Sequence, residues 1–234
     1  LVLEPDGWLV AAAPVDGSPE SLLVRQASIL GPAKVALAPG PAVLAEMPAI
    51  PSLEDGLRRV LEAVRTGLAL FDGARPLDPS AGDPDEAAVA LAAYASSSPW
   101  EWERDGSRWS LRIPTPTGLQ RIVAEALPGF ARLTCTLAPM ANASLEARHA
   151  LGHLLVALNG SLRLARGALG ETAAVLEVIL PAPGLWPSLV ETAAGALIAG
   201  SAVARRECMA LLDAPELAGA YCSFHLGRRT AWGR

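Results

Sequence analysis

The chain has 234 residues, with 19 Lys and Arg against 24 Asp and Glu, a formal net charge of −5, 51% apolar and 18% charged residues. So apolar and so lightly charged a chain is excluded from the disordered class, and its acidic balance excludes a basic nucleic-acid-binding protein. Its longest apolar stretches are broken by Pro, Gly or charge before 18 residues, so no membrane-spanning helix is expected.

Residues 1–73 read as a partial α+β unit. Asp6-Gly7 is a turn signal ahead of a strand at Trp8–Pro14. Residues 21–30 are a second strand candidate. Lys34–Ala38 and Ala42–Met47 flank Pro39-Gly40-Pro41, which predicts a hairpin. Ser52-Leu53-Glu54-Asp55 opens a helix, with Ser52 at the N-cap and two acids at the positive end of the dipole. Leu57, Val60, Leu61, Val64 and Leu68 then recur at helical spacing.

Residues 74–84, rich in Pro, Gly and Asp, read as a linker. Beyond it, 85–213 read as a fuller α+β domain. A helix over 85–96 precedes an Asp105-Gly106 turn and a strand at Trp109–Ile113. Strands over 119–127 and 131–138 are split by Pro128-Gly129. Ser144-Leu145-Glu146 opens a helix that ends at Asn159-Gly160. Strands over 161–169 and 173–180 flank Gly170-Glu171-Thr172. Ser188 and Glu191 have capping-box spacing ahead of a long Ala-rich helix to about Leu212. The order α-β-β-β-α-β-β-α predicts an antiparallel sheet packed by helices, an α+β fold. Leu57, Val60, Leu61, Val64 and Leu68 match Leu151, Leu154, Leu155, Leu158 and Leu162 one for one. With the paired Asp-Gly, Trp and Ser-Leu-Glu signals, this reads as an internal duplication whose first copy is a partial β-β-β-α repeat. The last segment, 214–234, is a basic, aromatic tail.

The run Arg132-Leu-Thr-Cys-Thr-Leu137, the helix Ser144–Leu158 and the segment Asn159–Ala168 carry a resemblance to the class I type III secretion chaperones and the related YbjN-like proteins. It covers residues 85–212. The resemblance implies a non-enzymatic protein that binds a polypeptide segment of a partner, as a homodimer. The partial upstream copy departs from that pattern and suggests an intrachain pseudo-dimer in its place.

Chemistry-bearing candidates are few. Glu146, His149 and His153 share a helix face at metal-ligand spacing, but only His225 remains as a further histidine, and a solvated face is the favoured reading. Cys135, Cys208 and Cys222 are odd in number and lack CxxC spacing, so neither a disulfide framework nor a cysteine zinc site is expected. No nucleophile elbow and no phosphate-cradling Gly-rich loop is present. Trp100 and Trp102 alternate with Glu101 and Glu103 on one predicted strand face, where they line a peptide groove or cap the core. Tyr221, Phe224 and Trp232 make the tail an arm or extra strand that docks on its own body or on a partner.

These readings favour a non-enzymatic, cofactor-free, cytoplasmic protein-binding module. It would hold a partner polypeptide at an exposed sheet edge and apolar groove, with no nucleic acid and no membrane. An accessory subunit of a larger complex is the alternative, and a metal-dependent enzyme using Glu146, His149 and His153 the second alternative.

Overall fold

The computed structural model describes residues 1–26, 31–37, 40–48, 52–73, 84–115, 118–182 and 185–232, without the side chains of 19–20, 84–85 and 225–232. Apart from Pro84, the expected linker lies outside the described residues. The α+β class holds: among the described residues six helices accompany two antiparallel sheets.

The first sheet is built from β1 (Val2–Leu3), β2 (Trp8–Pro14), β3 (Lys34–Leu37) and β4 (Pro41–Pro48) in the order β1-β2-β4-β3. The expected Asp6-Gly7 turn joins β1 to β2, and its φ of +81° at Gly7 is one that L side chains rarely adopt. Helix α2 (Leu53–Phe71) lies across β2 and β4. Ser52 caps it by accepting the Asp55 N–H at 3.3 Å. Its buried face is Gly56, Val60, Ala63, Val64, Gly67, Leu70 and Phe71, while Leu61 is exposed. The contact face is thus rotated from the expected leucine stripe toward small residues, which let the helix approach the sheet closely.

The strand expected over 21–30 is a helix where it is described. This is α1 (Pro19–Gln26), and 27–30 lie outside the described residues. Ser18 supplies the cap, its Oγ accepting the Ser21 N–H at 3.4 Å, and Pro19 occupies the first helical position, where no N–H is needed. Leu22, Leu23 and Gln26 are buried at helical spacing.

The second sheet follows helix α3 (Pro84–Ser97). Its strands are β5 (Glu103–Asp105), β6 (Arg108–Thr115), β7 (Gly118–Leu127), β8 (Phe130–Pro139), β9 (Arg166–Leu169) and β10 (Ala173–Pro181), in the order β5-β6-β7-β8-β10-β9. Helix α4 (Leu145–Asn159) links β8 to β9, and α5 (Pro187–Asp213) and α6 (Pro215–Trp232) complete the chain. One sheet face buries Trp109, Leu111, Ile122, Leu133, Cys135, Leu176 and Val178, with α3 lying on β7 and β8 and α5 on β8 and β10. The opposite face is tied by ion pairs: Arg108–Glu125, Arg112–Glu103 at 3.9 Å and Arg132–Glu177 at 2.8 Å.

Further details differ from expectation. β5 is a strand ahead of the three expected between α3 and α4. Trp186, not Ser188, is the N-cap of α5, and Pro187 opens the helix, so no Ser188–Glu191 capping box forms. Residues 161–165 are a turn, with Leu164 at a φ of +56°, so the strand expected from 161 starts at Arg166. Among the described residues α5 is apolar and long enough to cross a membrane by composition; Ala and Gly do not stop a helix as Pro does. Its stripe Leu189, Ala193, Leu197, Ala204, Cys208 and Leu211 is buried, which makes it the long core helix of this fold.

The two sheets share a chain path. β1-β2-α1-β3-β4-α2 gives the order β1-β2-β4-β3, and β7-β8-α4-β9-β10-α5 gives β7-β8-β10-β9. By this path α1 is the counterpart of α4 and α2 the counterpart of α5. The leucine-stripe correspondence drawn from sequence had matched α2 with α4.

Gly167 on β9 sets how near α4 comes. A Cβ there would lie 2.6 Å from Leu155 Cδ2 and 2.9 Å from Leu155 Cβ. Gly167→Ala is expected to cost about 1–3 kcal/mol through overpacking. Urea unfolding checks this: the midpoint should fall while the slope stays unchanged.

Candidate functional site

The densest polar cluster joins the two sheets. Helices α1 and α4 pack on each other, α1 on β9 and α4 on β3. Gln26 ends α1 and Asn159 ends α4, and both are fully buried. Gln26 Oε1 accepts the Val35 N–H at 2.8 Å, and its Nε2 donates to the Gly167 carbonyl at 2.8 Å. Asn159 does the converse: Oδ1 accepts the Gly167 N–H at 2.6 Å, and Nδ2 donates to the Val35 carbonyl at 2.7 Å. The two amides also meet, Asn159 Nδ2 donating to Gln26 Oε1 at 3.1 Å.

Buried charges flank them. Lys34, the only lysine, pairs with Glu46 at 2.6 Å and donates to the carbonyls of Leu162 and Ala165. Arg166 pairs with Glu177 at 2.9 Å and donates to the Ala33 carbonyl at 2.8 Å. Burial pushes both cations below their usual pKa, and their carboxylate partners oppose that push. Arg163 reaches Glu46 at 3.2 Å, Asp6 at 3.1 Å and Glu4, with its guanidinium 5.4 Å from the Trp8 ring centre. The Leu164 N–H donates to Glu46 at 3.1 Å. Among the described residues no buried side-chain nitrogen or oxygen lacks a partner. The cluster therefore satisfies itself and joins the two sheets; it presents no free donor set to a ligand. Sequence reading missed it, because its members are spread from Gln26 to Glu177.

The expected aromatic contacts separate in space. Trp100 is 43% exposed in the bend after α3, and Trp102 precedes β5, so they do not share a strand face. Trp102 is partly buried, edge-on to Tyr94 at 5.8 Å, and its Nε1 donates to Ser98 Oγ at 3.3 Å. Burial pushes the Tyr94 hydroxyl up, a bond with Ser98 opposes it, and Glu191 adds to the rise. Beside them, Tyr94, Ser97, Ser98 and Pro99 face Pro187, Ser188 and Glu191 across a cleft of about 220 Å³.

Where it is described, the tail is not an extra strand, and it docks on its own body. It is helix α6, laid on α4 and α5, because Pro215 and Glu216 suit a helix start and Ala218 is fully buried. Tyr221 is half-buried and Phe224 is 58% exposed. The Trp232 side chain lies outside the described residues. The metal reading gains nothing. His153 is buried whereas Glu146 is exposed, which corrects the expected shared solvated face, and no group of three or more metal-ligating residues exists among the described residues.

The remaining surface feature is a sheet edge. β1 exposes Val2 and Leu3 at 60% and 54%, with Leu1 before it at 61%, and among the described residues no strand pairs beyond it. The far edge of the second sheet, β5, carries Glu103, Arg104 and Asp105, all exposed. No protein-family model matches the chain, and no curated protein or solved structure is significantly similar to it.

The thiols report on the packing. Burial pushes Cys135 up and, with Glu207 adding, Cys208 up to about 12. Cys222 is half-buried on α6. A chromogenic disulfide reagent at pH 8 is expected to titrate at most one thiol in the native protein and all three after denaturation.

Proposed function

We propose that this chain is a non-enzymatic, chaperone-like or adaptor module of the cytoplasm that holds an extended segment of a protein partner at the outer edge of β1 and β2. The observation that carries this reading is the contrast between the two outer edges. Charged edge strands resist pairing with other chains, and β5 is charged. β1 is apolar and exposed, and its free backbone N–H and C=O groups are those a partner strand uses. In the second sheet the corresponding strand, β7, is covered by β6. An extended segment with alternating apolar side chains has the chemistry to replace that cover. The resemblance of residues 85–212 to the type III secretion chaperones supports the same reading, and Trp100, Trp102, Tyr221, Phe224 and Trp232 are its secondary contact candidates.

A specific observation also favours the accessory-subunit reading. Leu217, Tyr221 and Phe224 recur at i, i+4 and i+7 along α6, and the two outer members are exposed. A permanent neighbour would cover that stripe.

Affinity capture from native lysate separates the two. The wild-type chain is compared with Leu3→Pro, which removes an N–H that faces away from β2, and with Phe224→Ser on α6. Loss of a stoichiometric protein with Leu3→Pro alone, at unchanged thermal stability, supports the edge. Loss with Phe224→Ser alone supports the α6 surface. Recovery of no stoichiometric protein by the wild type overturns both.

A further inference from the structure

We infer that this chain is a tethered dimer. Two copies of one β-β-α-β-β-α unit, residues 2–71 and 118–213, associate about an approximate twofold axis that passes between Gln26 and Asn159. The inference concerns the chain's own halves and stands whether or not a partner binds at β1.

The first support is the path itself. The two units thread the same succession of elements into the same strand order, with every neighbouring pair antiparallel. Chain path alone is compatible with two units packed anyhow. The second support is reciprocity, which twofold association demands: where element i of one copy meets element j of the other, j must also meet i. Here α1 meets its counterpart α4. Helix α1 meets β9 and α4 meets β3, and β3 and β9 are themselves counterparts.

The exchange continues to individual atoms. Aligning the two edge strands sets Ala33-Lys34-Val35-Ala36-Leu37 beside Ala165-Arg166-Gly167-Ala168-Leu169. Lys34 donates to the Ala165 carbonyl, and Arg166 donates to the Ala33 carbonyl. Gln26 bonds Val35 of its own unit and Gly167 of the other. Asn159 bonds Gly167 of its own unit and Val35 of the other. Each helix-ending amide thus satisfies one backbone group at home and one across the axis. Two unrelated units packed by chance have no reason to trade donors in this matched way. On this reading α3, β5, β6 and α6 are additions carried by the second copy alone.

The test keeps the whole chain. A specific protease site is placed within 74–83, and the folded protein is then cut. The fragments are expected to stay together as one 24.2 kDa species on gel filtration at micromolar concentration. In the uncut chain, either Gln26→Ala or Asn159→Ala should raise amide hydrogen exchange at both Val35 and Gly167, at least tenfold above the wild type. Should an alanine variant not fold, Gln26→Asn, which shortens the reach to Gly167, is read by the same pattern. Separation of the fragments, or faster exchange confined to the half that carries the substitution, overturns the inference.

Discussion

A buried sheet edge must find partners for backbone groups that water no longer reaches, and that constraint organises this molecule. Both β3 and β9 end their sheets against a helix of the opposite unit. An unpaired buried backbone group costs about 1–3 kcal/mol. Gln26 and Asn159 meet the requirement from the ends of α1 and α4, and the positions of both helices follow from it. The flanking charges obey the same rule: Glu46 and Glu177 lie in the interior only because Lys34, Arg163, Arg132 and Arg166 surround them. A buried ion pair adds little net stability, yet loss of one member leaves a stranded charge. The junction between the sheets is therefore selective about geometry more than it is strong.

Much of the fold was legible because it rests on local signals. Ser52 and Ser144 cap the helices they were expected to cap, and Asp105-Gly106 and Pro128-Gly129 turn the chain where expected. Local signals also explain the errors. The apolar residues after Ser21 suit a strand, but the Ser18-Pro19 helix start before them decides α1. Ser188 and Glu191 have capping-box spacing, but Pro187 already opens α5, which leaves Ser188 inside the helix. Helical periodicity is shared by every amphipathic helix, which is why it matched α2 with α4, whereas strand order sets α4 beside α1.

The candidate site was far less legible. Which residues meet at the junction depends on how two sheets dock, and no spacing along the chain encodes a contact between Gln26 and Asn159, 133 positions apart. Aromatic residues are rare in this chain, but rarity does not specify exposure. Trp102 and Tyr221 pack inward while Trp100 and Phe224 face out. The edge at β1 was hidden by its brevity, since two paired residues are too few to show alternation.

The position of Lys34 has a consequence for chemistry at the protein surface. It is the only lysine in the chain and is 1% exposed. The native fold therefore offers no side-chain amine to solvent among the described residues. Acylating reagents, aldehydes and enzymes that tag ε-amines meet a surface whose positive charge is arginine. That amine becomes reachable only when the contact between the sheets opens. Its rate of modification is a clock for that opening, set into the sequence without any added label.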